Sequence, residues 1–168
     1  MTISMYQASA PRFVNVLTNL SAILDKAQAH LETRKIDQGA IVDYRLYPDM
    51  FPMKRQVQIA CDTAKGAVAR LAGVDLPRHE DTEQTLGELK ARIAKTIDFI
   101  GTIEPAQLDG TEDKEIVLHL GGQVARFRGM QYLLGFAHPN FYFHVVTAYN
   151  ILRRNGVDVG KRDYIGTP

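Results

Sequence analysis

The residues with the widest chemical range in this sequence are five histidines, His30, His79, His119, His138 and His144, and one cysteine, Cys61. A helical metal site needs two ligands on one helix face, three or four residues apart, and a third from a facing helix. His144 is the histidine whose spacing comes nearest to this. Counting three back reaches Phe141, four forward Ala148 and seven forward Ile151, so the ring points into or beside an apolar stripe. In a functional role it would be a metal ligand or a general acid/base. In a structural role it would be a buried ring bonded to a backbone carbonyl or a tyrosine. The spacing favours the structural role. Ala148 stands where a second histidine would complete H-x-x-x-H, and Asn140, one turn earlier, is a poor ligand for a transition metal.

The other candidates carry weaker signals. His138 precedes Pro139 and reads as a cap or an exposed residue. His79 lies in the polar string PRHEDTE and is expected in solvent. His30 and His119 receive no role. Cys61 falls on the apolar face of a helix, about two turns in, and is expected to pack as a small hydrophobe rather than act as a nucleophile. The segment Asp43–Gln58 is dense in polar groups. Arg45 and Asp49 are placed to pair and pin that loop, and Gln56 is placed to face a cavity. An ordered loop and a ligand site fit the segment equally well. Gly121-Gly122-Gln123 sits between two alternating apolar runs and reads as a hairpin turn. The sequence contains no phosphate loop, dinucleotide fingerprint, nucleophile elbow or paired C-x-x-C.

These residues are carried on four stretches of helical period. The first stripe is Ala10, Phe13, Leu17, Leu20, Leu24, Ala27 and Leu31, with Pro11 near its start and Ser9 as its cap. The second runs from about Lys54 to Ala72, with small residues on its face and Gly73 closing it. The third follows Pro77, with Asp81 and Gln84 spaced as a capping box and a stripe of Leu86, Leu89, Ile93, Ile97 and Ile100. The fourth opens at Pro139 and carries Phe141, Val145, Ala148 and Leu152. Between the last two, KEIVLHL-GG-QVARFR reads as a β-hairpin, and Met130–Ala137 as a short helix. RLYPDMFP is expected to be an ordered loop, and the tail after Gly156 irregular. The fold class is therefore mainly all-α: a four-helix bundle with long connections and a small β-hairpin between the third and fourth main helices.

Composition sets the outer bounds. The chain has 168 residues, 45% hydrophobic and 23% charged, with Lys+Arg 20 against Asp+Glu 19. That length predicts a single domain over residues 1–168 with a core large enough to need no staple. A formal net charge of +1 argues against a nucleic-acid partner. A single cysteine leaves no disulfide framework, and no secretory or membrane-spanning segment is evident, so a cytoplasmic protein with no membrane partner is expected.

Three strings taken together, RLYPDMFP, QVQIACDTAKGAVARLAG and HPNFYFHVVTAYNILRRNGVDVGKRDYIG, resemble an uncharacterised bacterial family, found also in fungi, within the DinB/YfiT-like superfamily of metal-dependent enzymes. The resemblance extends over nearly the whole chain and is most specific at Pro139–His144 and Gly160–Gly166. It implies a DinB-like four-helix bundle, often dimeric. The superfamily commonly holds a divalent metal with three histidines, one from the second helix and two from H-x-x-x-H on a later helix. Some relatives transfer low-molecular-weight thiols or open small rings with that metal. Here the second helix contains no histidine, and His144 matches the first of the pair while Ala148 replaces the second. One imidazole without thiolate or carboxylate companions disfavours zinc or nickel, so no metal and no cofactor are expected.

In place of a metal site, a small-molecule pocket is expected near one end of the bundle. Asp49, Gln56, His144 and Tyr149 would converge there, with Tyr142 or Phe143 at the rim and His144 as acid/base. The function expected is small-molecule binding or metal-independent, transferase-like chemistry. One alternative is a non-catalytic structural or binding homodimer. A further one is a divalent-metal-dependent thiol transferase or hydrolase, as in superfamily relatives, and a redox role for Cys61 is the weakest. The partners expected are a second copy of the chain and a small-molecule ligand.

Overall fold

The computed structural model describes residues 3–166. A one-turn helix α1 (Met5–Ala8) leads into the long α2 (Ala10–Arg34), a short α3 (Gly39–Val42), then α4 (Met53–Ala72) and α5 (Leu86–Gly101). A short α6 (Pro105–Leu108) precedes the strands β1 (Glu115–Leu120) and β2 (Gln123–Arg128). Helix α7 (Gly129–Tyr132), a π-helical turn (Leu133–Ala137) and α8 (His138–Arg154) follow without a break, and α9 (Lys161–Ile165) ends the described chain. The four long helices α2, α4, α5 and α8 make the bundle. Helix α4 packs against both α8 and α5, and α5 bridges α4 to α2.

The predicted apolar stripes supply the core. Phe13, Leu17, Leu20, Leu24, Ala27 and Leu31 of α2 are buried, as are Phe141, Val145, Ala148 and Leu152 of α8. The face of α4 is built from Val57, Ala60, Ala64, Ala67 and Val68, all fully buried, and these short side chains let neighbouring backbones approach closely. Gly73 closes α4 in the left-handed region at φ 72°. The hairpin is antiparallel, with Leu120 opposite Gln123, and turns on Gly121 and Gly122 at φ 56° and 85°. Both turn residues therefore have the positive φ that a two-residue hairpin loop demands. Among the described residues, no helix is long and apolar enough to cross a membrane.

Several local expectations are corrected. Ser9 stands before α2, but its hydroxyl donates to the Met5 carbonyl at 2.6 Å and leaves α2 without a side-chain cap. Helix α1 ends there, and its open carbonyl is the nearer partner. The capping box of α5 is Thr85 with Glu88 rather than Asp81 with Gln84. Asp81 is drawn instead to Arg55 and Arg92, and the Gln84 side chain accepts from Lys54. In the α5 stripe Ile97 is only half-buried, and Thr96 is fully sealed. Arg45 donates to the Met50 carbonyl at 2.6 Å and forms an isolated bridge with Pro52, so the 45–52 loop is ordered without the expected Asp49 pair.

The segment after the hairpin is not a separate short helix. It runs through the π-helical turn directly into α8. Pro139 explains the wide turn: it has no N–H for the Gly135 carbonyl, and its ring would strike that carbonyl in a regular α-turn. The tail is not irregular either. Asn19 donates to the carbonyls of Tyr164 and Ile165 at 3.1 and 3.0 Å, and Lys26 pairs with Asp163 at 2.7 Å, so α9 is held along α2.

Gly129, at the start of α7, packs closely against the loop that precedes β1. A Cβ there would collide with the Thr111 carbonyl oxygen, whereas at Gly135 it would meet nothing. Gly129→Ala is expected to lower stability by about 1–3 kcal/mol through overpacking. Gly135→Ala is expected to be neutral or stabilising by about 0.5–1 kcal/mol, the helix preference of alanine over glycine. Chemical denaturation of the two variants checks both signs.

Candidate functional site

The side chains that meet across the α4–α8 seam are Gln56 and His144. Gln56 lies in the first turn of α4 and is 1% exposed; His144 is 8% exposed. His144 Nδ1 is 2.7 Å from Gln56 Oε1, and Gln56 Nε2 donates to the Phe51 carbonyl at 2.9 Å. The last contact fixes the rest. A carbonyl only accepts, so the glutamine amide must turn its NH2 to Phe51 and its oxygen to the imidazole. That oxygen accepts in turn, so Nδ1 carries the ring proton and Nε2 is a bare lone pair. Nε2 has no hydrogen-bond partner among the described residues, and it is not shut off from solvent.

Burial, and next the charge of Arg55, push the His144 pKa down from 6.5 to about 4. The ring is therefore neutral at pH 7. Phe143 meets it edge-on, with ring centroids 5.3 Å apart, and is itself 56% exposed. The seam thus offers a fixed, uncharged acceptor beside an exposed aromatic ring.

The expected convergence of four residues does not form. The structure brings together Gln56 and His144 only. Asp49 is exposed on its loop and has no hydrogen bond or ion pair to either one among the described residues. Tyr149 supports the tail: its hydroxyl donates to the Val159 carbonyl at 3.4 Å, and its ring meets Tyr164 edge-on. Tyr142 lies on another side of α8, stacked on His138 with ring centroids 5.5 Å apart. His138 is neither cap nor solvent-exposed. Its Nε2 donates to the Ala8 carbonyl at 2.7 Å and its ring stacks on Phe13. His79 is half-buried rather than solvated, and burial together with Lys65 and Arg92 lowers its pKa.

The residues present do not fit a zinc- or nickel-type site. The polar neighbour of His144 on the α4-facing side is Asn140, which donates to Thr63 Oγ1 at 2.9 Å, whereas Ala148 is sealed in the core. The seam therefore offers one imidazole lone pair and two amides already engaged with the protein. No group of three or more His, Cys, Asp or Glu placed to hold a metal occurs among the described residues. Neutral amides alone are weak ligands for such ions.

Two further features complete the picture. Cys61 is fully buried, and burial pushes its thiol up to about 12, partly offset by a hydrogen bond with Thr96 and by Arg92. It packs as expected and is no nucleophile at neutral pH. The sequence reading missed Arg92, whose side chain is 1% exposed. Its guanidinium pairs with Asp62, Asp81 and Glu83 at 2.9–3.0 Å and donates to the Glu80 carbonyl. It thereby holds the 74–85 segment onto the bundle. The signal was an arginine three residues after Leu89 and four before Thr96, inside the apolar stripe.

The sequence profile described as "Domain of unknown function (DUF1993)" matches residues 5–165, and the chain belongs to that family. Among solved structures it is similar to a DinB family member protein from Shewanella denitrificans, determined by crystallography at 1.83 Å resolution, with 42% sequence identity. That match covers 97% of this chain and 92% of the other, with a TM-score of 0.89. No curated protein matches the chain. The DinB-like bundle implied by the sequence strings is thereby shown.

The geometry predicts how the site titrates. The folded state keeps His144 neutral down to about pH 4, whereas the unfolded chain takes up a proton near 6.5. Stability contributed by this ring is complete above pH 6.5 and is lost as pH falls towards 4. In Gln56→Glu a carboxylate replaces the amide oxygen at Nδ1 and favours the imidazolium, so the His144 pKa should rise from about 4. An NMR titration of the His144 ring protons in both proteins measures the rise.

Proposed function

We propose that this protein binds a small molecule without a metal, and that His144 Nε2 is the acceptor to which the ligand donates a hydrogen bond. The observation that carries this reading is the Gln56 amide, held by Phe51, which locks the ring as the Nδ1–H tautomer. Small-molecule sites combine apolar walls with a few fixed polar groups. The exposed Phe143 ring and the Nε2 lone pair supply one of each. A pKa of about 4 makes His144 a weak general base at neutral pH, so binding is better supported than proton abstraction in a transferase-like reaction. Metal-dependent thiol transfer or hydrolysis, as in superfamily relatives, is less well supported, because the seam lacks the donors such an ion needs.

Phenol and anisole separate this reading from nonspecific aromatic binding. Both offer a ring to Phe143, but only phenol donates a hydrogen bond. Phenol should produce a saturable 15N shift at His144 Nε2, and anisole should not. Equal shifts, or none with phenol at millimolar concentration, would overturn the reading.

We also propose a cytoplasmic homodimer. A buried, reduced thiol suits a reducing compartment. Tyr47 and Phe51, on the loop before α4, are each more than half exposed, aromatic surface that a second copy would cover while leaving Phe143 open to the ligand. Light scattering at micromolar concentration should give a dimer mass, reduced to a monomer by Tyr47→Glu. A monomer mass for the unaltered chain would rule the dimer out.

A further inference from the structure

A second site lies on another side of α8. Tyr142 and His138 line a cleft of about 640 Å³ between α8, α1 and the start of α2. Its apolar wall is Ile3, Ala8 and Pro11, and its remaining polar side chains are Gln7 and Arg12. The floor is the His138 and Tyr142 rings, backed by the buried Phe13 ring. Phe13 lies 4.9 Å from His138 and His138 5.5 Å from Tyr142, centroid to centroid, with interplanar angles of 25° and 8°. The stack is uncharged at neutral pH. His138 donates from Nε2 to Ala8, so Nδ1 is a lone pair, and that atom is buried without a partner. Protonating it would place a charge where no acceptor waits, in line with the lowering of its pKa by burial.

The charge at the rim is one-sided. Arg12 is exposed and forms no ion pair or side-chain hydrogen bond among the described residues, so its guanidinium is free to meet an anion. The Tyr142 hydroxyl likewise has no hydrogen-bond partner among the described residues, and Arg12 stands close enough to oppose the rise that burial causes in the Tyr142 pKa. Among the described residues, no aspartate or glutamate lines the cleft. An apolar wall, an aromatic floor and one unneutralised guanidinium beside a phenol form a complementary set of groups. A planar carboxylate matches the fork of the guanidinium and can also accept from the phenol.

We propose that this cleft binds a small organic carboxylate, with its apolar or aromatic body on the Pro11 wall and ring stack and its acid group held by Arg12 and the Tyr142 hydroxyl. This site is distinct from the His144 acceptor, which lies two residues further along α8 and asks its ligand for a hydrogen-bond donor. The two sites therefore stand or fall separately.

Benzoate, benzamide and benzylamine share one ring and differ in head-group charge, and they probe the cleft in the full chain. Benzoate should bind saturably, with NMR shifts at the Arg12 side chain, Gln7 and the Tyr142 ring and none at His144 Nε2. Benzamide should bind about tenfold more weakly, the loss expected on replacing a charge-assisted hydrogen bond with a neutral one, and benzylamine more weakly still. Arg12→Gln alters an exposed side chain and should preserve the fold; it should bring benzoate down to the benzamide level. Tyr142→Phe keeps the stack and should weaken benzoate by a smaller factor. Three results would overturn the proposal: equal affinity for benzoate and benzamide, benzoate affinity unchanged in Arg12→Gln, or no saturable shift at the cleft.

Discussion

Close approach between α4 and α8 is the constraint from which the site follows. Helix α4 turns alanine and valine towards its neighbours, so little side-chain bulk separates the two backbones. Polar side chains in such a seam lose water and must find partners within it, because a buried unmet donor or acceptor costs about 1–3 kcal/mol. Gln56 meets that requirement at both ends, giving its NH2 to Phe51 and its oxygen to His144. The imidazole tautomer is the consequence. Had Phe51 offered a donor instead of a carbonyl, the amide would be reversed and Nε2 would carry the proton. A backbone carbonyl in the loop before α4 thus decides which hydrogen-bonding character α8 shows to solvent.

Arg92 obeys the same rule with higher stakes at its two terminal nitrogens, while its buried Nε is left without a partner among the described residues. A guanidinium inside a helix stripe is tolerated only because three carboxylates and a carbonyl surround it. Glu83 is the one nearly buried carboxylate of the three, and removing a buried partner typically costs about 3–5 kcal/mol, whereas water screens the exposed Asp62 and Asp81. Asp81 and Glu83 come from the segment between α4 and α5, a stretch without regular secondary structure for most of its length. Charge pairing therefore orders a connection that the apolar core does not reach.

The fold was largely legible because it is written in short-range periodicity. The stripes of α2 and α8, the small-residue face of α4, the Gly73 stop and the Gly121-Gly122 turn each depend on a few neighbouring residues, and each stands as read. The misplaced features depend on distant partners. Asp81 has the spacing of a cap, but Arg92 and Arg55 claim it across the fold. The tail looks irregular until Asn19 and Lys26 of α2 hold it. His138 reads as a cap until the Ala8 carbonyl, 130 positions away, accepts a hydrogen bond from its ring N–H. Of the expected pocket, the Gln56–His144 pair was legible because both residues sit at the edge of an apolar stripe that faces a neighbour. Asp49 was not, since nothing in a loop's sequence fixes which way its side chain points.

Tyr142 shows why the rest of that pocket was misread. It stands two residues from His144, and at about 100° per residue the two side chains leave the helix about 200° apart. Residues adjacent in the sequence of a helix therefore belong to different surfaces, while residues three or four apart share one. Tyr142 goes with His138, four residues earlier, and His144 goes with Asn140 by the same interval. The string HPNFYFH, which reads as a single aromatic cluster, is two interleaved faces. One is polar, faces α4 and contains the neutral acceptor. The other is aromatic, faces α1 and lies beside an unpaired arginine. A single helix thus gives the molecule two surfaces of opposite hydrogen-bonding character, one presenting a neutral acceptor and the other lying beside a cation.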